Sequence, residues 1–298
     1  MIQLNDILKK YDIKPYRYIN NGNITIVEDK NERFVVRKKS MNEDIYSYLK
    51  TRNFDYFPRI VNDLNEDFII QEYIEDEKYP SEQKILDLIN LVSLLHNKTT
   101  HYKEVDIEDY KRLYEDISNN IEYLKSYYFD IITTIETHTF MSPHEYLFAR
   151  NISKINSVLN FCEIEVSNWY KLVKDKTKER QVVLHNNLDL SHFIKNDKSY
   201  LINWKKSKIG NPIFDLFVLY KRHALDFDFE SVLNSYEQSY PLTDDEKRLL
   251  YILISLPDKI EFEGANYELC NKISNMVDYL YKTDKLISPY YSKQNIHN

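Results

Sequence analysis

The period of the apolar positions changes along this chain, and the change divides it. From Tyr16 to Ile74 the apolar runs are short and strand-like. "YRYI" and "NITIV" flank Asn20-Asn21-Gly22-Asn23, a strong hairpin-turn signal. "RFVVRK" follows a second turn at Asp29-Lys30-Asn31, and "EDIYSYLK" places Ile45, Tyr48 and Leu49 on one helical face. "FPRIVNDLNEDFIIQEYIED" reads as two further strands around a turn at Asn62–Asp67. The predicted order is strand, strand, strand, helix, strand, strand.

Beyond Glu75 the helical period takes over. Ser81 is a candidate N-cap for a helix whose stripe is Ile85, Leu88, Ile89, Val92 and Leu95. A long amphipathic pattern runs through Leu113, Ile117, Ile121, Leu124 and Tyr128. The next helix opens with Ser142, Pro143 and Glu145, a capping box with proline in the first turn, and continues to about Lys176. A second capping box, Thr243 to Glu246, opens the helical C-terminal third. Two short strands interrupt the helices: "VVLHNNLDLSHFI", Val182 to Ile194, and "YLINW", Tyr200 to Trp204. The pattern predicts a small five-stranded lobe over 1–75 and a large helical lobe over 76–298.

Composition changes this picture little. The chain has 298 residues, 43% hydrophobic and 29% charged, as expected of a soluble globular protein with well-buried cores. Three Gly and eight Pro leave no room for flexible linkers. A net charge of −7 gives no overall attraction to nucleic acid or to an anionic membrane. The basic clusters Arg37-Lys38-Lys39 and Lys205-Lys206 are short, and the second reads as a solvated face. No apolar run reaches the roughly 20 residues of a membrane span. The N-terminal "MIQLNDILKKYDI" alternates polar and apolar residues and lacks a signal-peptide core. Cys162 and Cys270 form no ligand spacing and read as reduced core thiols of a cytoplasmic protein. The 26 tyrosines are read as a consequence of codon usage, with a Tyr-rich binding surface as the alternative.

The chemistry concentrates in residues 183–216. A buried strand runs into His185-Asn186-Asn187-Leu188-Asp189-Leu190-Ser191-His192; then come Ile202-Asn203-Trp204-Lys205 and Gly210-Asn211-Pro212-Ile213-Phe214-Asp215-Leu216. Their order and spacing, behind a strand-rich segment ending in "FIIQEYIED", resemble the protein kinase-like fold in its aminoglycoside and choline phosphotransferase branch. In style the chain is closest to spore-coat kinase-like proteins of Gram-positive bacteria. The family's loop reads His-Gly-Asp-x-x-x-x-Asn, its metal segment Ile-Asp-Trp/Phe, and a Gly-x-x-x-x-Asp-Leu follows. The resemblance implies an α+β bilobal fold and, in active members, ATP and Mg²⁺.

Residue by residue, the resemblance assigns the base position to Asn187, one metal position to His192 and the other to Asn203. An amide has no useful basicity, and an imidazole is a poor ligand for Mg²⁺. His185 is expected to be a buried structural histidine and Asp215 a brace for the loop. Asp189, two positions past the base, is expected to cap locally, with a substitute catalytic role as the alternative. In the small lobe the resemblance places the phosphate-gripping cation on Arg37, or on Lys38 if the register slips. Its helix partner falls on Glu43, or is absent if Asn42 takes that slot. Glu72 and Tyr73 stand at the hinge whose backbone would meet an adenine ring. Gly22 reads first as a plain turn.

The expectation is therefore a bacterial, cytoplasmic, catalytically impaired pseudokinase. It would bind a protein partner or a small ligand, without a span in the membrane, a nucleic-acid partner or a required cofactor. The alternatives are a divergent phosphotransferase with displaced ligands, using Asp189 and Mn²⁺ at His192, and a structural assembly protein of spore-coat type.

Overall fold

A computed structural model describes residues 2–22, 24–30, 32–39, 44–62 and 67–294. The first element is a helix, α1 (Ile2–Lys10). Three antiparallel strands follow in register: β1 (Arg17–Asn21), β2 (Ile24–Glu28) and β3 (Arg33–Lys38). After α2 (Asp44–Thr51), β4 (Phe68–Glu72) pairs with β3 and completes a four-stranded sheet in the order β1-β2-β3-β4.

The fourth of the five predicted strands is reduced to one bridge, Ile60 to Gln71, beside bonds from Val61 N to Ile70 O and from Glu72 N to Arg59 O, while the fifth is present as β4. Pro58, immediately before this segment, has no N–H to extend the ladder. Alternation along β3 gives each sheet face its task. Phe34 and Val36 pack with Val27, Ile70, Leu8 and Ile13 in a core that α1 covers. The alternate residues, Val35 and Arg37, face a cavity on the other side.

The remaining elements are α3 (Ser81–Thr99), β5 (His101–Glu104), α4 (Ile107–Glu136), α5 (Pro143–Val173), β6 (Lys178–Leu184), β7 (Phe193–Lys195), β8 (Ser199–Leu201), β9 (Lys208–Gly210), α6 (Ile213–His223), α7 (Phe229–Ser239), α8 (Asp244–Ser255) and α9 (Asn266–Gln294). A sheet lobe thus leads into a large, mostly helical remainder. Both predicted capping boxes are present: Ser142 with Glu145 and Thr243 with Glu246 each satisfy two helix-end donors. At α3 the cap is Pro80, and Ser81 is the first helical residue. Proline there has its φ set for the helix and no N–H to lose.

By backbone contacts the chain divides into two compact units. One comprises Met1–Thr100, Val182–Gly210 and Gln238–Tyr240; the other comprises His101–Gln181, Asn211–Glu237 and Pro241–Asn298. The first unit holds the sheet, α3, the second half of β6 and the segment from β7 through β9. The second is helical: α4 packs along α5, and α5 packs against α8 and α9. No helix among the described residues is long and apolar enough to cross a membrane.

Candidate functional site

The site is built within the first unit, starting from the end of β6. Val182, Val183 and Leu184 are fully buried, and Val183 N donates to Thr99 Oγ1 of α3 at 3.0 Å. That bond fixes where the strand ends. His185 is also fully buried; its Nε2 donates to Ile202 O at 2.8 Å, and its ring lies 4.9 Å from Trp204. The imidazole ties the loop to the following segment.

Asn186 takes the left-handed conformation, with φ +55°, and donates from Nδ2 to Lys206 O at 3.1 Å. The family loop has glycine here, and asparagine is among the few side chains that tolerate this backbone. Leu188 is fully buried. Asp189 Oδ1 accepts from Ser191 N at 2.8 Å and from Ser191 Oγ at 2.6 Å, capping a single 3-10 turn, Leu190–His192. The cap directs this carboxylate to its own turn.

The turn delivers His192 to a defined place. Its Nδ1 meets the backbone carbonyl of Asn187 at 2.7 Å, and its Nε2 lies 2.8 Å from Asn203 Nδ2. A carbonyl only accepts, so Nδ1 carries the hydrogen and Nε2 accepts from the Asn203 amide. Asn203 itself is left-handed, φ +64°, at the head of a second 3-10 turn, Trp204–Lys206. Trp204 anchors that turn: it is 2% exposed, donates to Leu201 O at 2.9 Å and sits edge-on to Tyr46 and Phe54. The β7–β8 hairpin, pairing Phe193 with Leu201, holds His192 and Asn203 opposite each other.

Between this loop and the sheet lies a cavity of about 300 Å³. Ile24, Val35, Ile74, Ile194 and Ile202 give it apolar wall, and Arg37, Gln71, Glu72, Tyr73, His192, Asn203 and Lys205 are its polar lining residues. Arg37 faces the cavity, while Lys38 is exposed at the end of the strand. The Arg37 guanidinium bonds Tyr46 Oη of α2 at 3.1 Å and Gln71 Oε1 at 3.4 Å. Glu43 and Asn42, the two candidates for its helix partner, lie outside the described residues. Neither Tyr46 nor Gln71 carries a charge that sequence reading could have matched to the arginine. Lys205, taken from the sequence as part of a solvated face, is exposed but lines this cavity.

At the hinge, the backbone N–H of Glu72 bonds Arg59 O at 3.0 Å and that of Tyr73 bonds Arg33 O at 2.9 Å. Both of these N–H groups are therefore engaged within the protein. The Glu72 carboxylate is held by Arg59, through its backbone N–H at 3.1 Å and its Nε at 3.5 Å. Gly22 sits in the β1–β2 turn at φ +57° with nothing within 4 Å of where a Cβ would stand. Its requirement is conformational. Asp215 belongs to the second unit, fully buried in the first turn of α6.

The donors present at the two metal positions do not fit Mg²⁺, which demands several hard oxygen ligands in octahedral geometry. One position offers an imidazole nitrogen, the other a neutral amide whose N–H is turned to that nitrogen, leaving a single carbonyl oxygen and no carboxylate between them. No group of three or more His, Cys, Asp or Glu among the described residues is arranged to hold a metal ion.

No protein-family model and no curated protein matches the chain by sequence. Solved structures do match its course. An aminoglycoside phosphotransferase from Alicyclobacillus acidocaldarius subsp. acidocaldarius DSM 446 superposes with a TM-score of 0.71 over 96% of this chain and 94% of that one, at 10% identity. A spectinomycin phosphotransferase, solved with ADP and spectinomycin, gives 0.55 over 96% and 98% at 13% identity. A choline kinase from Streptococcus pneumoniae gives 0.50 over 98% and 100% at 13% identity. The sheet lobe, the His185 loop and the helical remainder thus form a protein kinase-like fold. It is the fold of the aminoglycoside and choline phosphotransferases.

Proposed function

We propose that this chain is a catalytically impaired phosphotransferase-like pseudokinase, which binds a protein or a small ligand and does not transfer phosphate. One observation carries the reading: at the two metal positions, His192 and Asn203 hydrogen-bond each other at 2.8 Å. Phosphoryl transfer depends almost wholly on positioning and charge neutralisation, and the metal supplies most of the latter. With Asn187 at the base position as well, no carboxylate stands at the base position or at either metal position.

The divergent-enzyme alternative needs a working carboxylate near the loop, and the capping bonds of Asp189 count against it. A protein-binding role gains support from the start of α5, where Phe140 is 90% exposed beside exposed Met141 and Tyr146. The proposal places the protein in the cytoplasm and assigns it no required cofactor.

A thermal-shift titration with ATP, with and without Mg²⁺, tests this together with a phosphoryl-transfer assay over hydroxyl acceptors. Ligand at 100 times its dissociation constant adds about 2.7 kcal/mol. The expected result is no metal-dependent shift and no transfer. A Mg²⁺-dependent shift with turnover that Asp189→Ala abolishes would establish the divergent enzyme instead.

A further inference from the structure

The connection between α4 and α5, within the second unit, carries Phe140, the most exposed large apolar side chain among the described residues. Met141 stands just before the N-cap Ser142, and Tyr146 stands four residues after it. At these two positions apolar side chains ordinarily cover each other in a hydrophobic staple, yet here both are exposed. The first turn of α9 lies alongside, with His144 Nδ1 2.8 Å from Asn266 Oδ1. The next residue, Tyr267, is 77% exposed. Beneath them Phe148, fully buried, meets Phe262 edge-on at 4.9 Å and ties the approach to α9 onto α5. Four large apolar side chains thus share one firmly packed frame. Single exposed aromatics are ordinary on a protein surface, whereas a group of them marks a place of interaction.

The charges around this group have one sign. Residues 131–149 and 260–271 together hold five Glu and no Lys, Arg or Asp. Glu145 is used in the helix cap, and Glu261 pairs with Lys259 at 2.7 Å. Glu136, Glu263 and Glu268 are exposed, and no basic group among the described residues pairs with any of them.

We propose that this surface docks a basic amphipathic helix of a partner protein. The helix lays its apolar face on Phe140, Met141, Tyr146 and Tyr267 and brings its Lys and Arg side chains to the three carboxylates. The reading rests on the protein-binding branch of the function proposed above and names the partner's chemistry. Charge selects this occupant over the others. A second copy of the chain, meeting the same surface across a twofold axis, would set carboxylates against carboxylates. Nucleic acid and anionic membranes would meet like charge as well. The surface is assembled from helix ends, so there is no strand edge for an extended peptide to join. A helix offers an apolar stripe with cations on its flanks. Buried aromatic anchors supply most of the affinity at such contacts, and rim charges set the encounter rate and the choice of partner.

The test is fluorescence anisotropy of a labelled Leu/Lys amphipathic peptide of about five helical turns, titrated with the full chain. Wild type is expected to bind it saturably, with an affinity that falls as salt rises. The same peptide with Glu in place of Lys is expected not to bind. The pair Phe140→Ser with Tyr146→Ser should weaken binding by about tenfold or more, and so should the triple change Glu136→Gln, Glu263→Gln and Glu268→Gln. The side chains replaced are exposed, and unchanged melting temperatures verify that each variant is folded. Tyr102→Ser removes an equally exposed aromatic side chain elsewhere in the second unit and should leave binding unchanged. No saturable binding by wild type would overturn the proposal, as would equal binding of the acidic peptide or the same loss with Tyr102→Ser as with the patch variants. A dimer of the chain alone in sedimentation, dissolved by Phe140→Ser, would overturn it in favour of a second copy. The phosphoryl-transfer assay reads the cleft and not this surface, so its outcome and that of the peptide titration fail separately.

Discussion

Replacing Asn186 by glycine and by alanine should reverse the usual order of those two residues. At most positions Ala is favoured over Gly by about 0.4–1 kcal/mol, because it narrows the unfolded ensemble. At φ +55° the sign changes. A β-carbon in the left-handed region costs ~1–2 kcal/mol, which Asn partly offsets by its local polar bonding and Gly does not incur. Both variants lose the Nδ2 bond to Lys206 O, worth about 0.5–1.5 kcal/mol. Asn186→Gly should therefore fall about 1 kcal/mol below wild type, and Asn186→Ala about 1 kcal/mol below Asn186→Gly. Urea denaturation followed by tryptophan fluorescence reads this directly, since Trp204 packs on His185, the neighbouring residue. With a urea slope of about 2–3 kcal/mol per molar, the two midpoints should differ by roughly 0.3–0.5 M. An Ala variant as stable as the Gly variant would refute the reasoning, because the loop would then not need a left-handed residue behind His185.

Further outcomes follow from side chains elsewhere. Glu246, 3% exposed, accepts from Arg180 Nε at 3.1 Å and from Thr243 N at 3.0 Å, so Glu246→Ala should cost ~3–5 kcal/mol in equilibrium unfolding. The double change Arg180→Met with Glu246→Leu should recover most of that loss, and no recovery would mean that the helix cap dominates. The backbone N–H of Ser142, 2.6 Å from Glu145 Oε2, holds the Glu145 carboxyl below the usual range. Its stabilisation is therefore present above an unfolded value of about 4.3 and is lost as pH falls through the lower folded value. Wild type should exceed Glu145→Gln in melting temperature at pH 7 and converge with it towards pH 3; a gap independent of pH would contradict this. Burial pushes the Cys162 thiol up to about 12, while Cys270 is only half-buried. Thiol alkylation of the native protein at pH 8, read by peptide mass spectrometry, should label Cys270 well before Cys162.

Much of this was legible where one residue type has one physical use. The two capping boxes, the turn at Gly22 and the β3 alternation that turns Phe34 and Val36 away from Arg37 all follow from local rules. What escaped depends on partners distant in sequence. Helix α1 carries Leu4, Ile7 and Leu8 at helical spacing and, with Tyr11 just beyond its end, packs them on the sheet, yet the stretch is short enough to read as alternation. The strand predicted ahead of β4 shrank to a bridge beside Pro58, which has no N–H to give to a ladder. In the site, the loop positions could be matched to a motif, but the way their side chains pair could not. Nothing in the spacing of His192 and Asn203 says that they point at each other, and nothing in Tyr46 marks it as the phenol that holds Arg37.

The mutual bond between His192 and Asn203 also bears on how this chain could change over generations. Each side chain is the other's partner, so a single substitution towards a metal-binding pair is judged first by the contact it breaks. A carboxylate at 203 alone would draw a proton onto Nε2 and turn a neutral contact into an ion pair, and an amide at 192 alone would give up the bond from Nδ1 to the Asn187 carbonyl. The two positions are therefore coupled: what is tolerated at one depends on what stands at the other, and a double-mutant cycle across them would read that coupling as a departure from additivity.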